Sequence, residues 1–143
     1  MPLLNYTTSV SVTRTVGQVQ GLLVEAGARS IMADYDDVGN VTGLSFAVQG
    51  PMGLQGYRLP VQTDRVLAVL QRDRVPARFQ TPEHAERVSW RILKDWVEAQ
   101  LALLRTEMVT LDQVMLPYMT ADDGRTVYEL YLEQQLALPA GDA

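Results

Sequence analysis

The sequence predicts a single α+β domain over residues 1–143: a small antiparallel sheet of three to four strands packed by one long amphipathic helix and several short ones. Three observations carry this. The first half holds short alternating runs separated by turn residues, which is strand and hairpin patterning. The second half switches to apolar spacing of three and four, which is helical. The chain of 143 residues, 47% apolar and 20% charged, is long enough to bury one core without a disulfide or a metal.

Taken in order, residues 1–5 read as a frayed tail. Tyr6 to Val12 alternates, with Tyr6, Thr8, Val10 and Val12 on one face, and predicts a strand. Thr15 with Gln18 has the spacing of a capping box, opening a helix of Val16, Val19, Leu22, Leu23 and Ala26 that Gly27 closes. Ile31, Ala33 and Tyr35 are expected inward, with Met32, Asp34 and Asp36 outward. A turn over Asp37-Val38-Gly39-Asn40 leads to a second inward face of Leu44, Phe46 and Val48. Residues 50–56 read as a longer connection, and Tyr57, Leu59 and Val61 as a third run that Pro60 marks as an edge or an end.

Thr63 is expected to cap a helix of Val66, Leu67, Val69 and Leu70 that stops near Asp73, ahead of Val75-Pro76. Thr81-Pro82 opens the longest element, about 24 residues or ~36 Å. Its stripe of Ala85, Val88, Ile92, Trp96, Ala99 and Leu103 is widened by Leu93, Val97, Leu101 and Leu104. The opposite face carries Arg87, Arg91, Lys94, Asp95, Glu98 and Arg105, with Arg91–Asp95 and Lys94–Glu98 four residues apart. Thr110/Gln113 and Thr126/Glu129 are further capping boxes, with a turn at Asp122-Asp123-Gly124 between them. Residues 139–143 read as a second frayed tail.

Composition removes whole classes of chemistry. Without cysteine there is no thiol nucleophile, zinc ribbon or iron–sulfur site, and with one histidine no site needing two. No cofactor is expected. The first residues lack a basic segment and an apolar run, and no stretch approaches the ~20 apolar residues of a membrane span, so the reading is a cytoplasmic protein without membrane contact. His84, in the first turn of the long helix, has no marked nucleophile to activate and reads as a surface residue. Asp34, Asp36 and Asp37, joined by Asp122 and Asp123, are the candidate ligands for a hard cation and would make a carboxylate-metal enzyme, although they lack calcium-loop spacing. Gly50, Gly53 and Gly56 lack the Lys-Ser/Thr of a phosphate loop and read as structural.

Charge is unevenly spread. The net charge is −5, but Arg58 to Lys94 sums to +4 against −9 elsewhere. The candidate interaction surface is therefore Arg72, Arg74, Arg78, Arg87, Arg91 and Lys94, with Trp90 as an aromatic anchor and Trp96 in the core. Direct nucleic-acid binding through this window is one reading. Contact with another protein is the other, and a homodimer burying part of the long helix's wide stripe is compatible with both.

The run Ala85 to Leu103, Leu116-Pro117-Tyr118-Met119, Gly124 to Glu129, Gly27-Ala28 and Arg58-Leu59-Pro60 resemble a family of small hypothetical proteins of tailed phages and prophages. The resemblance spans about Thr15 to Leu138. It implies phage origin, a host-cytoplasm setting and a DNA-related accessory role, and it carries over no catalytic residue. The expected function is that of a non-enzymatic accessory protein binding another macromolecule, within a DNA replication or recombination assembly.

Overall fold

The computed structural model describes residues 1–137; the predicted tail at 139–143 lies outside them. Helix α1 (Val12–Glu25) leads into strands β1 (Ala28–Tyr35), β2 (Val41–Gly50) and β3 (Gly53–Arg58). Helices α2 (Thr63–Arg72), α3 (Pro82–Arg105), α4 (Leu111–Met115) and α5 (Val127–Ala137) follow. The fold is α+β, as expected, with a three-stranded antiparallel sheet in the order β1-β2-β3. Met119 and Thr120 add a short bridge beside β3, where Thr120 N donates to the Gly56 carbonyl.

Register sets the layers. Ile31, Phe46 and Tyr57 lie side by side across the sheet, as do Met32, Ser45 and Arg58. Successive strand residues face opposite sides. One row, with Leu44 and Leu59, enters a core closed by Val16, Val19 and Leu23 of α1, Trp90, Leu93 and Val97 of α3, and Met115. The other row forms the sheet's outer face. α3 also packs against α1 and α2, which makes it the central rod of the domain.

Several expectations are corrected. Tyr6 to Val12 is not a strand: residues 4–7 form a turn, and α1 begins at Val12 with Ser11 as its cap, the hydroxyl accepting from Arg14 N at 3.2 Å. Thr15 is buried within that helix and caps nothing. Tyr35 points outward, 63% exposed, because a register shift between Asp34 and Tyr35 breaks the alternation. The connection at 50–56 is a tight turn at Pro51 and Met52, with Gly50 paired to Gly53 at φ +114° and β3 starting there. Thr63 is the first residue of α2 and Gln62 its cap, with no side-chain bond.

Other signals hold. Gly27 takes φ +101° after α1, Thr81 caps α3 by accepting from His84 N at 3.1 Å, and α3 has 24 residues. The capping boxes at Thr110/Gln113 and Thr126/Glu129 both form.

Candidate interaction surfaces

The basic window divides into two groups. Arg72, Arg74 and Arg78 are exposed around the α2–α3 connection. Arg72 lies 3.8 Å from Asp73, and Arg78 sits 4.5 Å over the Phe79 ring. Arg74 adopts φ 53°, a left-handed conformation that favours glycine.

Arg87, Arg91 and Lys94 instead make contacts within the fold. Arg87 donates to His84 Nδ1 at 3.2 Å. Arg91 reaches across to α1, donating to Gln18 Oε1 at 2.5 Å and to Thr15 Oγ1 at 3.4 Å, and not to Asp95. Lys94 pairs with Glu98, as its spacing suggests.

Trp90 is no surface anchor. It is fully buried, whereas Trp96 is half-buried and rests edge-on against Tyr118 at 5.6 Å. Sheet, α1 and α2 pack α3 from several sides, so its buried arc centres on Leu93 and Val97 rather than on Ile92 and Trp96. Much of the apolar stripe is thereby covered by the chain itself.

His84 is buried at 2% exposure, not on the surface, and both ring nitrogens are engaged. It borders a depression of about 600 Å³ that Thr8, Ser9, Ser11, Arg78 and Arg87 also line. Glu83 and Glu86 on the same rim set negative charge against those arginines. Burial, and then repulsion from Asp36 and Glu83, push the Glu86 carboxyl above the usual carboxylate range.

The acidic residues do not assemble. The Asp36 carboxylate closes the β1–β2 turn, accepting from Val38 N at 3.0 Å and Asn40 N at 2.9 Å. The Asn40 bond leads in holding its pKa below the ordinary value. Asp123 accepts from Arg125 Nε at 2.8 Å, and Arg125 also holds Glu133. Arg58 binds Glu129, which ties β3 to α5. Among the described residues, no three His, Asp or Glu side chains come together as a group able to hold a metal. No helix among them is long and apolar enough to cross a membrane.

One surface was not anticipated. At the β2–β3 hairpin, Met52 is fully exposed and Leu54 is 62% exposed, bordering a depression of about 680 Å³. Arg29 and Asp112 stand on its rim, and Val48, Leu111 and Met119 lie deeper. Tyr57 also lines it, its hydroxyl pushed up in pKa by burial and then by the Asp112 charge. The signal was present in the sequence as Met52 and Leu54 in a segment read as a loop.

No protein-family model matches the chain, and neither does any curated protein or solved structure.

Proposed function

We propose that the chain is a non-enzymatic phage or prophage accessory protein that binds another protein within a DNA replication or recombination assembly. The observation that carries the protein-binding part of this reading is the β2–β3 hairpin end, where Met52 and Leu54 stand over a depression of about 680 Å³. Apolar side chains around a cleft with a charged rim are the anatomy of a protein-docking patch. The occupant is an apolar segment of a second protein, with Arg29 and Asp112 as its polar contacts. The engagement of His84 and Asp36 in structural bonds supports a binding role over a catalytic one.

A photo-crosslinking residue at position 54, compared with one at position 72, tests this in host cells. The expected result is one discrete protein adduct from position 54 that Met52→Glu abolishes. Adducts from position 72 alone, or turnover of a nucleotide, nucleic acid or ester by the purified protein, would overturn it.

A second reading, direct nucleic-acid binding, is favoured by Arg74. It is exposed together with Arg72 and Arg78 around the α2–α3 connection, which gathers three cationic side chains where they can meet phosphates. Replacing Arg72, Arg74 and Arg78 with alanine is expected to lower the salt dependence of binding, by about 0.9 in log–log slope for each phosphate no longer neutralised. Absence of DNA or RNA retention at low salt ends that reading.

A further inference from the structure

The outer edge of β1 is a strand edge without a partner among the described residues, and its chemistry is self-complementary. Leu59 N donates to Leu44 O at 3.0 Å, so the backbone groups of Leu44, and by alternation Phe46 and Val48, point toward β3. Gly43, Ser45 and Ala47 then point toward β1, where they meet Asp34, Met32 and Ser30. The N–H and C=O groups of Ile31 and Ala33 face the other way, off the sheet. The register shifts of β1 fall at its ends, between Ala28 and Ser30 and between Asp34 and Tyr35, so Ser30 to Asp34 is a regular strand. The strand holds no lysine or proline, the usual guards of an open edge.

We infer that this edge binds a second copy of the chain, β1 against β1 in antiparallel order, forming a continuous six-stranded sheet. The outward groups limit the register, and centring the regular segment Ser30 to Asp34 on the two-fold axis selects one. Ile31 pairs with Ala33 of the partner subunit, and each such pair exchanges both N–H···O bonds. Met32 falls on the two-fold axis, and its side chain, 61% exposed on the outer face, meets its own copy. Ser30 lies opposite the partner's Asp34, a hydroxyl facing a carboxylate. Charge selects the direction. Arg29 marks one end of β1, and Asp34, Asp36 and Asp37 mark the other. Antiparallel pairing sets the basic end beside the acidic end, whereas parallel pairing would set like beside like. The contact uses neither the α3 stripe nor Met52 and Leu54, and it meets the proposed docking patch only at Arg29, which borders both.

Sedimentation equilibrium of the full chain tests this, alongside two variants. Met32→Glu changes an exposed side chain and sets two like charges face to face across the axis. Ala33→Pro removes an N–H that the β1–β2 ladder does not use. The expected result is a dimer of the 15.9 kDa chain. Each variant is expected to raise its dissociation constant by about tenfold or more. Amide exchange at Ile31 and Ala33 should slow as concentration rises through the dimerisation range. A monomer at every concentration overturns the inference, and so does a dimer that both folded variants leave unchanged.

Discussion

His84 Nε2 lies 2.5 Å from the carbonyl oxygen of Tyr6, joining the first turn of α3 to a segment 78 residues earlier. Arg87 can only donate, so His84 Nδ1 accepts from it and Nε2 carries the hydrogen given to Tyr6. The Phe79 ring packs against both, tilted at 4.9 Å from the His84 ring and edge-on at 5.8 Å from the Tyr6 ring. His84→Ala leaves a part-buried carbonyl unpaired and a gap beside Phe79. The expected loss is about 1–3 kcal/mol in urea unfolding. Proteolysis should also become faster in residues 1–10. A variant as stable as the parent, with an equally protected amino-terminal segment, would refute this role.

Trp90 fills the centre of the core, and its Nε1 meets no acceptor among the described residues. Trp90→Ala is expected to cost about 3–5 kcal/mol, the usual range for truncating a buried large aromatic. Trp90→Phe should cost distinctly less, since it deletes an unpaired buried donor along with the lost volume. Fluorescence separates the two tryptophans: a Trp96→Phe protein, reporting Trp90 alone, should emit at shorter wavelength and resist acrylamide. Ready quenching of that protein would place Trp90 at the surface after all.

What the sequence discloses is local. Thr81-Pro82 and the spacing of Ala85, Val88, Ile92, Trp96, Ala99 and Leu103 are enough to define α3, because a cap and a helical period are properties of neighbouring residues. Thr126 and Glu129 bond each other for the same reason. The start of α1 is less legible, since Ser11 and Thr15 are both capping residues. The choice between them depends on Thr15 packing beneath Arg91 from a distant helix. Trp90 takes the centre of the core and Trp96 its half-buried margin because the centre of α3's buried arc is set by three packed neighbours. The basic window suffers likewise. Its charge sum is visible in sequence, but whether Arg91 faces solvent or Gln18 is a tertiary fact.

Gly56 is required by proximity rather than by its backbone angles. A Cβ built there would lie 2.6 Å from Thr120 Oγ1, where the 119–120 bridge closes onto β3. Gly56→Ala is therefore expected to cost about 1–3 kcal/mol through overpacking. Thr120→Ala removes the opposing hydroxyl, so the double variant should recover part of that loss. A coupling of about 0.5 kcal/mol or more in the double-mutant cycle is expected. Strict additivity would show that the two residues do not press on each other.

Glu86 links the acidic turn at Asp36 to the first turns of α3. Burial first, then the Asp36 and Glu83 charges, raise its carboxyl pKa, with Arg87 opposing. A folded-state pKa above the unfolded one means that the folded chain holds this proton more tightly. The stabilisation is full below the unfolded value and is lost as pH rises through the folded one. At neutral pH the carboxylate is thus a small net cost. Glu86→Gln is expected to stabilise the protein at pH 7 by no more than about 1 kcal/mol, the scale of charge contacts near a surface. The advantage should vanish below about pH 4, where the parent is protonated in both states. Urea unfolding across that range is the measurement. A gain from Glu86→Gln that does not change with pH would assign the effect to packing rather than to the charge.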